Sequence, residues 1–366
     1  MSGPAVARFD PDDAVPGTAA ARFNPNAAVP WVAMARCDPG AVMSGRSAGR
    51  LAPDAASPVP AAAWFYPDDR PPMRYRVRHL TTYNYLNPVA LSAHLAHLLP
   101  RELPVQRVLS ARVSASPMPS WRRDGTDHFG NIATWLFLDT AHPDFAVTSE
   151  AMVDVCFPDP PPPETTQPWE AVAAAARLGG PAAWQAAEFA FDSPLVPADA
   201  EAAAYAAADF PPGRPLLAAL LDFNQRIRRD FTFRPGVTTT STTVRDVLSR
   251  REGVCQDFAH LMIGALRGLG LPARYVSGYI RTYAPVGRAR RLGADQSHAW
   301  VGCWLGAEHG WVDLDPTNGL VVKEEHVVLG WGRDFRDVTP LRGVILGGGD
   351  HELSVRVELE PQTAGT

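Results

Sequence analysis

Apolar side chains at Phe258, Ala259, Met262, Ile263, Leu266 and Leu269 fall three, four, seven, eight, eleven and fourteen positions after Cys255. That spacing is a single stripe along an α-helix, and Gly268, Gly270 and Pro272 close it. A helix with one apolar face needs another element to cover that face. The chain that follows reads as strand, over Ala273 to Thr282, Ser297 to Leu305 and Trp311 to Asp315. A basic loop with Arg288, Arg290 and Arg291 separates the first two segments. Gly306 to Gly310 joins the last two and is short enough for a hairpin.

Cys255 stands in the first turn of the helix, beside unpaired backbone N–H groups and the positive end of the helix dipole, both of which favour thiolate over thiol. A cysteine on an apolar stripe is also a common small core residue, so position alone does not decide its role. Its downstream neighbours weigh on the question. Side chains alternate along a strand, so His298, Trp300, Gly302 and Trp304 share one face, as do Trp311, Asp313 and Asp315. A two-residue turn at Gly306-Ala307 sets His298 opposite Asp315 and Trp300 opposite Asp313. This register favours Asp315 as the carboxylate that orients the imidazole, and a shift of two residues brings Asp313 nearer. Asp315-Pro316 is also a turn start, and the two uses are compatible. A zinc site built from Cys255, His260, His298 and Cys303 fails on geometry: positions five apart diverge by ~140° on a helix and point to opposite faces on a strand.

The rest of the chain divides by composition. Residues 1–72 are rich in Ala, Pro, Gly and Asp and repeat a short motif every fourteen positions: Ala7-Arg8-Phe9-Asp10-Pro11, Ala21-Arg22-Phe23-Asn24-Pro25, Ala35-Arg36-Cys37-Asp38-Pro39. The expectation is a disordered leader. A docking tail anchored by Phe9 and Phe23 and a translation start at Met73 are the alternatives. Residues 73–157 show period-two segments at Arg74 to His79, Thr81 to Tyr85, Val105 to Ser116, Ile132 to Asp139 and Phe145 to Cys156, with turns at Gly125 and Phe129-Gly130-Asn131, which suggests a small mostly-β domain. His94 and His97 lack a nearby third ligand for a metal. A proline-rich linker spans 158–168. Helical segments follow at Trp169 to Arg177, Pro181 to Phe189, Ala198 to Ala207, Leu216 to Phe231 and Val244 to Ser249.

A net charge of -5 gives no electrostatic case for a nucleic-acid partner. No run approaches the ~18–20 apolar residues of a membrane span, and the first thirty residues lack a basic start followed by an apolar core. Cys37, Cys156, Cys255 and Cys303 form no CxxC pair and read as reduced thiols, so the expected setting is a reducing, cytoplasmic one. No alternation of acidic residues resembles a calcium loop, and no cofactor or metal is expected. Oligomeric state is left open.

Three stretches in order, Gly253-Val254-Cys255-Gln256-Asp257-Phe258-Ala259-His260, Gln296-Ser297-His298-Ala299-Trp300 and Gly310-Trp311-Val312-Asp313-Leu314-Asp315-Pro316-Thr317-Asn318, resemble the bacterial transglutaminase-like superfamily of cysteine proteases. Residues 73–157, with Asp127-His128-Phe129-Gly130-Asn131, are similar to the amino-terminal domain of many members, and Gly332 to Gly343 with His351 to Val357 to their closing segment. The resemblance implies an α+β fold with a papain-like, transglutaminase-like core over 169–359, the cysteine helix lying on an antiparallel sheet, and a short tail at 360–366. It implies Cys255 as nucleophile, His298 as general base and acid, and Asp315 as orienting carboxylate. It also implies acyl transfer through a thioester on a protein or peptide substrate. Hydrolysis as a peptidase or amidase is the leading outcome, with transamidation, deamidation of glutamine and a non-catalytic binding module as alternatives.

Overall fold

The computed structural model describes residues 70–180, 183–282 and 296–362. The leader repeats with Phe9 and Phe23, and the basic loop at Arg288, Arg290 and Arg291, lie outside them.

The first sheet is built on one long strand, β1 (Met73–Ala96), with β2 (Gln106–Ser116), β3 (Trp121–Thr126), β4 (Ile132–Leu138) and β5 (His142–Val155). Its order is β2-β5-β1-β4-β3. The two segments expected at Arg74 to His79 and Thr81 to Tyr85 are one strand, because β5 pairs with Met73 through Asn84 without a break. Gly125, expected at a turn, lies inside β3, where an added Cβ would meet the Trp135 ring at 3.2 Å.

A helical layer follows: α1 (Trp169–Leu178), α2 (Trp184–Ala187), α3 (Ala200–Ala206), α4 (Leu216–Asp230) and α5 (Val244–Arg250), then α6 (Cys255–Gly268). Two short strands, β6 (Thr232–Phe233) and β7 (Glu252–Gly253), pair in parallel just ahead of α6. The second sheet contains β8 (Ala273–Ile280), β9 (Gln296–Trp304), β10 (Trp311–Asp315), β11 (Leu320–Val321) and β12 (His326–Gly332), in the antiparallel order β11-β10-β9-β8-β12. The apolar stripe of α6, Phe258, Ala259, Met262, Ile263 and Leu266, is buried in one cluster with Ala273, Tyr275, Ala299, Val301, Cys303 and Leu314 of this sheet. No helix among the described residues is long and apolar enough to cross a membrane.

The last two strands, β13 (Leu341–Gly347) and β14 (His351–Gln362), leave the second sheet and return to the first. β14 pairs with Arg74 to Tyr85 and β13 with Val89 to Ala96, so β1 has neighbours on both edges along most of its length. The segment that the sequence groups with the second domain therefore completes the amino-terminal sheet. Between the sheets Tyr75, Val77, Val153, Val155, Val357 and Leu359 pack on Tyr279, Val327 and Leu329.

The free edge of β12 is covered by side-chain amides of the first domain. Gln106 Nε2 donates to the Val328 carbonyl and its Oε1 accepts the Val328 N–H, both at 2.8 Å. Asn131 does the same for Trp331, at 2.8 and 2.9 Å. Asp127 accepts the Phe129 and Asn131 N–H groups at 2.9 Å and so shapes the turn that presents Asn131. An open strand edge carries unpaired backbone groups, and here two amides stand in for a sixth strand. His94 stacks on Phe145 at 4.0 Å, and His97 lies 3.4 Å from Asp127.

Candidate active site

The start of α6 is fixed from several sides. Thr243 caps α5, and Arg251 ends it in the left-handed region at φ 58°. That reversal allows Glu252 and Gly253 to pair with Thr232 and Phe233. Asp257 then reaches back one turn, where its Oδ2 accepts the Val254 N–H and the Thr238 hydroxyl, each at 2.7 Å. A Cβ on Gly253 would lie 2.8 Å from that oxygen, so the approach requires glycine. Asp257 is buried, and burial pushes its carboxyl up in spite of the two donors. Cys255 is the first helical residue and is half-buried. Its own N–H is one of the end groups that no helical carbonyl reaches.

His298 lies near the start of β9, buried, with Nε2 2.8 Å from Asp315 Oδ2. Cys255 is near enough to act on the charge of the ring, and with Nε2 held by Asp315 it is Nδ1 that remains for the sulfur. Burial works to lower this imidazole, but the charge and hydrogen bond of Asp315, joined by Cys255, outweigh it and raise its pKa to about 10. Asp315 has no exposed surface. Burial works to raise its carboxyl, and His298, followed by His326, holds it well below the usual carboxylate range.

Asp315 divides its work between two oxygens. Oδ1 accepts the Thr317 and Asn318 N–H groups at 2.9 and 3.1 Å and so starts the Asp-Pro-Thr-Asn turn. Oδ2 receives His298, the Asn318 side-chain amide at 2.7 Å and His326 Nε2 at 3.3 Å. The turn starter and the partner of the imidazole are one group, as the residue types allow.

The hairpin register differs from that of a turn at Gly306-Ala307. Trp311 pairs with Trp304, Asp313 with Gly302 and Leu314 with Val301. The loop is longer because Leu305 N–H closes onto the Gly310 carbonyl at 2.7 Å, with Gly306 and Gly310 at φ 103° and 66°. The direct pairing of His298 with Asp315, and of Trp300 with Asp313, is therefore corrected by two residues. Asp315 sits one residue past the last β10 residue paired with β9, pairs with Leu320 of β11 instead, and meets His298 diagonally. Asp313 is occupied elsewhere: it accepts the Trp300 indole N–H at 3.0 Å and lies 3.6 Å from Arg274.

The other members of the rejected zinc set are apart from this centre. His260 accepts the Phe335 N–H at 3.3 Å, and burial lowers its pKa to about 4. Cys303 is in the helix-side core, where burial pushes its thiol up. Sequence reasoning did not find His326, the buried first residue of β12. Its only sequence signal is a histidine opening an apolar run, and β12 reaches the site through β8, a neighbour far away in the chain. Ligand atoms of His298, Asp315 and His326 lie within 4.8 Å of one another. His298 and Asp315 are in direct hydrogen bond at 2.8 Å, closer than the ~3.3 Å between two tetrahedral ligands of a zinc ion, so these two side chains are set to bond each other rather than an ion.

Residues 75–154 match the bacterial transglutaminase-like N-terminal region, and residues 207–316 match the transglutaminase-like superfamily. An uncharacterized protein of Mycobacterium tuberculosis is 42% identical over 300 residues, covering 79% of this chain and 93% of that protein. A protein-glutamine gamma-glutamyltransferase of Pseudomonas aeruginosa is 35% identical over 106 residues, 28% of this chain and 15% of that one. Among solved structures, a candidate cysteine protease from Cytophaga hutchinsonii has the same fold, with a TM-score of 0.63 at 20% identity over 81% of this chain and 93% of that chain. On these matches, and with a cysteine helix laid on an antiparallel sheet behind a mostly-β domain, the chain belongs to the transglutaminase-like superfamily.

Proposed function

We propose that the protein is a cysteine hydrolase of peptide or amide bonds, with Cys255 as nucleophile, His298 as general base and acid, and Asp315 as the orienting carboxylate. The observation that carries this reading is the position of His298, bonded to Asp315 at 2.8 Å and near enough to Cys255 for the two side chains to act on one another, with its pKa raised to about 10. At neutral pH the ring is an imidazolium, the partner that a thiolate needs.

The Cys255 sulfur adds to the carbonyl carbon of the substrate, and the electron pair of the C=O bond moves to oxygen. The Cys255 N–H, free at the helix start, is placed to bind that oxyanion; one such donor is typically worth roughly 2.7–4 kcal/mol in the transition state. The tetrahedral intermediate collapses with cleavage of the C–N bond, and His298 Nδ1–H gives its proton to the departing amine. Neutral His298 then takes a proton from water, the hydroxide adds to the thioester, and the carboxylate leaves as the thiolate is restored. Asp315 keeps Nε2 protonated throughout and so holds the tautomer.

Transamidation is the second reading, supported by the 106-residue likeness to a protein-glutamine gamma-glutamyltransferase. It differs only in the acceptor, an amine in place of water. Of three tryptophans that could wall water out, Trp300 and Trp304 are buried in the two cores flanking the second sheet and Trp311 packs, partly buried, against the core that holds Trp304; hydrolysis, which needs no such wall, stays the lead.

Treatment with iodoacetamide at pH 6 tests the ion pair. Cys255 is expected to label well ahead of the other thiols, and His298→Ala to slow it by roughly 10²-fold. Uniformly slow labelling of all the cysteines would instead favour a non-catalytic binding module. A glutamine peptide assayed with and without a primary amine then separates the two acceptors: ammonia release with a free acid product indicates hydrolysis, and an amine adduct indicates transfer.

A further inference from the structure

His326 is a second imidazole on the same carboxylate oxygen. Its Nε2 lies 3.3 Å from Asp315 Oδ2, the atom that also receives His298 at 2.8 Å. An ionised carboxylate only accepts hydrogen bonds, so Nε2 of His326 carries the hydrogen, and in the neutral ring Nδ1 is a bare acceptor. That Nδ1 is buried and has no hydrogen-bond partner among the described residues. The ring is wedged edge-on against Trp300 at 5.2 Å, and its centroid is 6.1 Å from that of His298. A leucine or phenylalanine would fill such a position without leaving a polar atom unpaired. What the histidine adds is one N–H aimed at Asp315.

That N–H is not needed to hold the carboxylate in place. Oδ1 is fixed by two backbone N–H groups, and Oδ2 by the Asn318 amide. Its effect is electronic: two rings share one oxygen, and each hydrogen bond that Oδ2 accepts lowers the charge it offers to the other. We propose that His326 is a positioning residue for the site, acting through Asp315 to limit how tightly the carboxylate holds the His298 proton, so that His298 can give that proton up to the departing amine. This inference rests on the triad reading above. The titratable groups facing the pair are Asp315 from β10, Cys255 from α6 and the two imidazoles themselves. Asp313 and Arg274 stand one step behind, across Trp300.

The test is a histidine NMR titration of the whole protein carrying ¹⁵N-labelled imidazoles, with the His298 signals assigned by their loss in His298→Ala. In His326→Phe the His298 titration is expected to move upward by about one pH unit, the order of effect of one hydrogen bond to an ionised group. In His326→Gln, whose amide restores an N–H, it is expected to return toward the wild-type position. Thermal melting of both variants checks that they fold. A purely structural role for His326 predicts the opposite direction, since a loosened site lets His298 fall toward its ordinary value. A downward shift, no shift, or equal behaviour of the Phe and Gln variants overturns the inference. If wild-type His298 itself titrates near its ordinary value, the triad reading fails instead, and the two failures are thereby distinct.

Discussion

Asp313 and Asp315 are two carboxylates on one five-residue strand, and their partners separate them. Asp315 serves His298, while Asp313 serves the Trp300 indole and Arg274. Asp315→Asn is therefore expected to bring the His298 titration down from about 10 toward its ordinary value and to cost roughly 10²–10⁴-fold in turnover. Asp313→Asn is expected to lower the melting temperature, because it leaves a buried guanidinium without its counter-charge, and to leave the His298 titration where it is. The NMR titration distinguishes the two carboxylates. The same pair makes stability depend on pH. His298 is raised in the folded state, so its contribution is complete below the unfolded value of ~6.5 and is lost as pH rises through about 10. Asp315 is depressed, so its contribution is present above ~3.9 and is lost as pH falls toward the folded value. Melting curves of the wild type should decline between about pH 7 and 10 more steeply than those of Asp315→Asn. The three residues of the proposed triad could be picked out of the sequence because thiol, imidazole and carboxylate stand out against apolar runs. His326 was not, because its meaning depends on which strand lies beside β8.

At the scale of elements, close approach decides more than propensity. Gly253 lies against the Asp257 carboxylate that caps the start of α6, and a Cβ there would meet Oδ2 at 2.8 Å and the Asp257 Cβ at 2.9 Å. Gly253→Ala is expected to displace the first turn, slow iodoacetamide labelling of Cys255 at least ~10-fold and cost about 1–3 kcal/mol of stability in denaturant melts. Gly278 is more constrained, since an added Cβ would fall 2.2 Å from the Val327 carbonyl oxygen and 2.3 Å from the Trp300 ring. Backbone on one side and a buried indole on the other leave nothing that can yield, so Gly278→Ala is expected to prevent accumulation of soluble protein. The helix itself was plain from its stripe, which runs from Phe258 to Leu266 as the 3.6-residue period requires. The hairpin was less plain. Its glycines mark a turn, but two positive-φ residues four positions apart fit a longer loop as well as a tight one, and each choice slides the register by two. Asp315 reaches His298 all the same, because it lies past the end of the β9 ladder, where pairing with β9 no longer governs it.

The whole molecule is tied together by its ends. β14 and β5 flank the first half of β1, and β13 and β4 its second half, so the carboxy-terminal strands are as much part of the amino-terminal sheet as its own hairpins. No local pattern announces this, since pairing across 245 to 288 positions leaves no trace in period or turn residues. The core between the sheets draws Tyr75 and Val153 from one domain, Tyr279 and Leu329 from the other, and Val357 and Leu359 from the returning tail. Gln106 and Asn131 add amide pairs to the open edge of β12, the strand that begins at His326. Gln106→Leu should leave the Val328 N–H without a partner and its carbonyl with only the Arg101 N–H at 3.3 Å, and cost about 1–3 kcal/mol. Thermal unfolding of the wild type should accordingly show a single transition, with the intrinsic signals of both sheets lost together. Truncation after Pro340 tests the same dependence more severely. It exposes one edge of β1 over its whole paired length and removes Val357 and Leu359 from the shared core, so the truncated chain is expected to aggregate or to melt far below the full chain, with Cys255 labelling slowed even though no residue of the centre is touched. A truncated protein that melts at the wild-type temperature with Cys255 as reactive as before would mean that the first sheet is complete without its last two strands, and that the active centre does not depend on how the two sheets are joined.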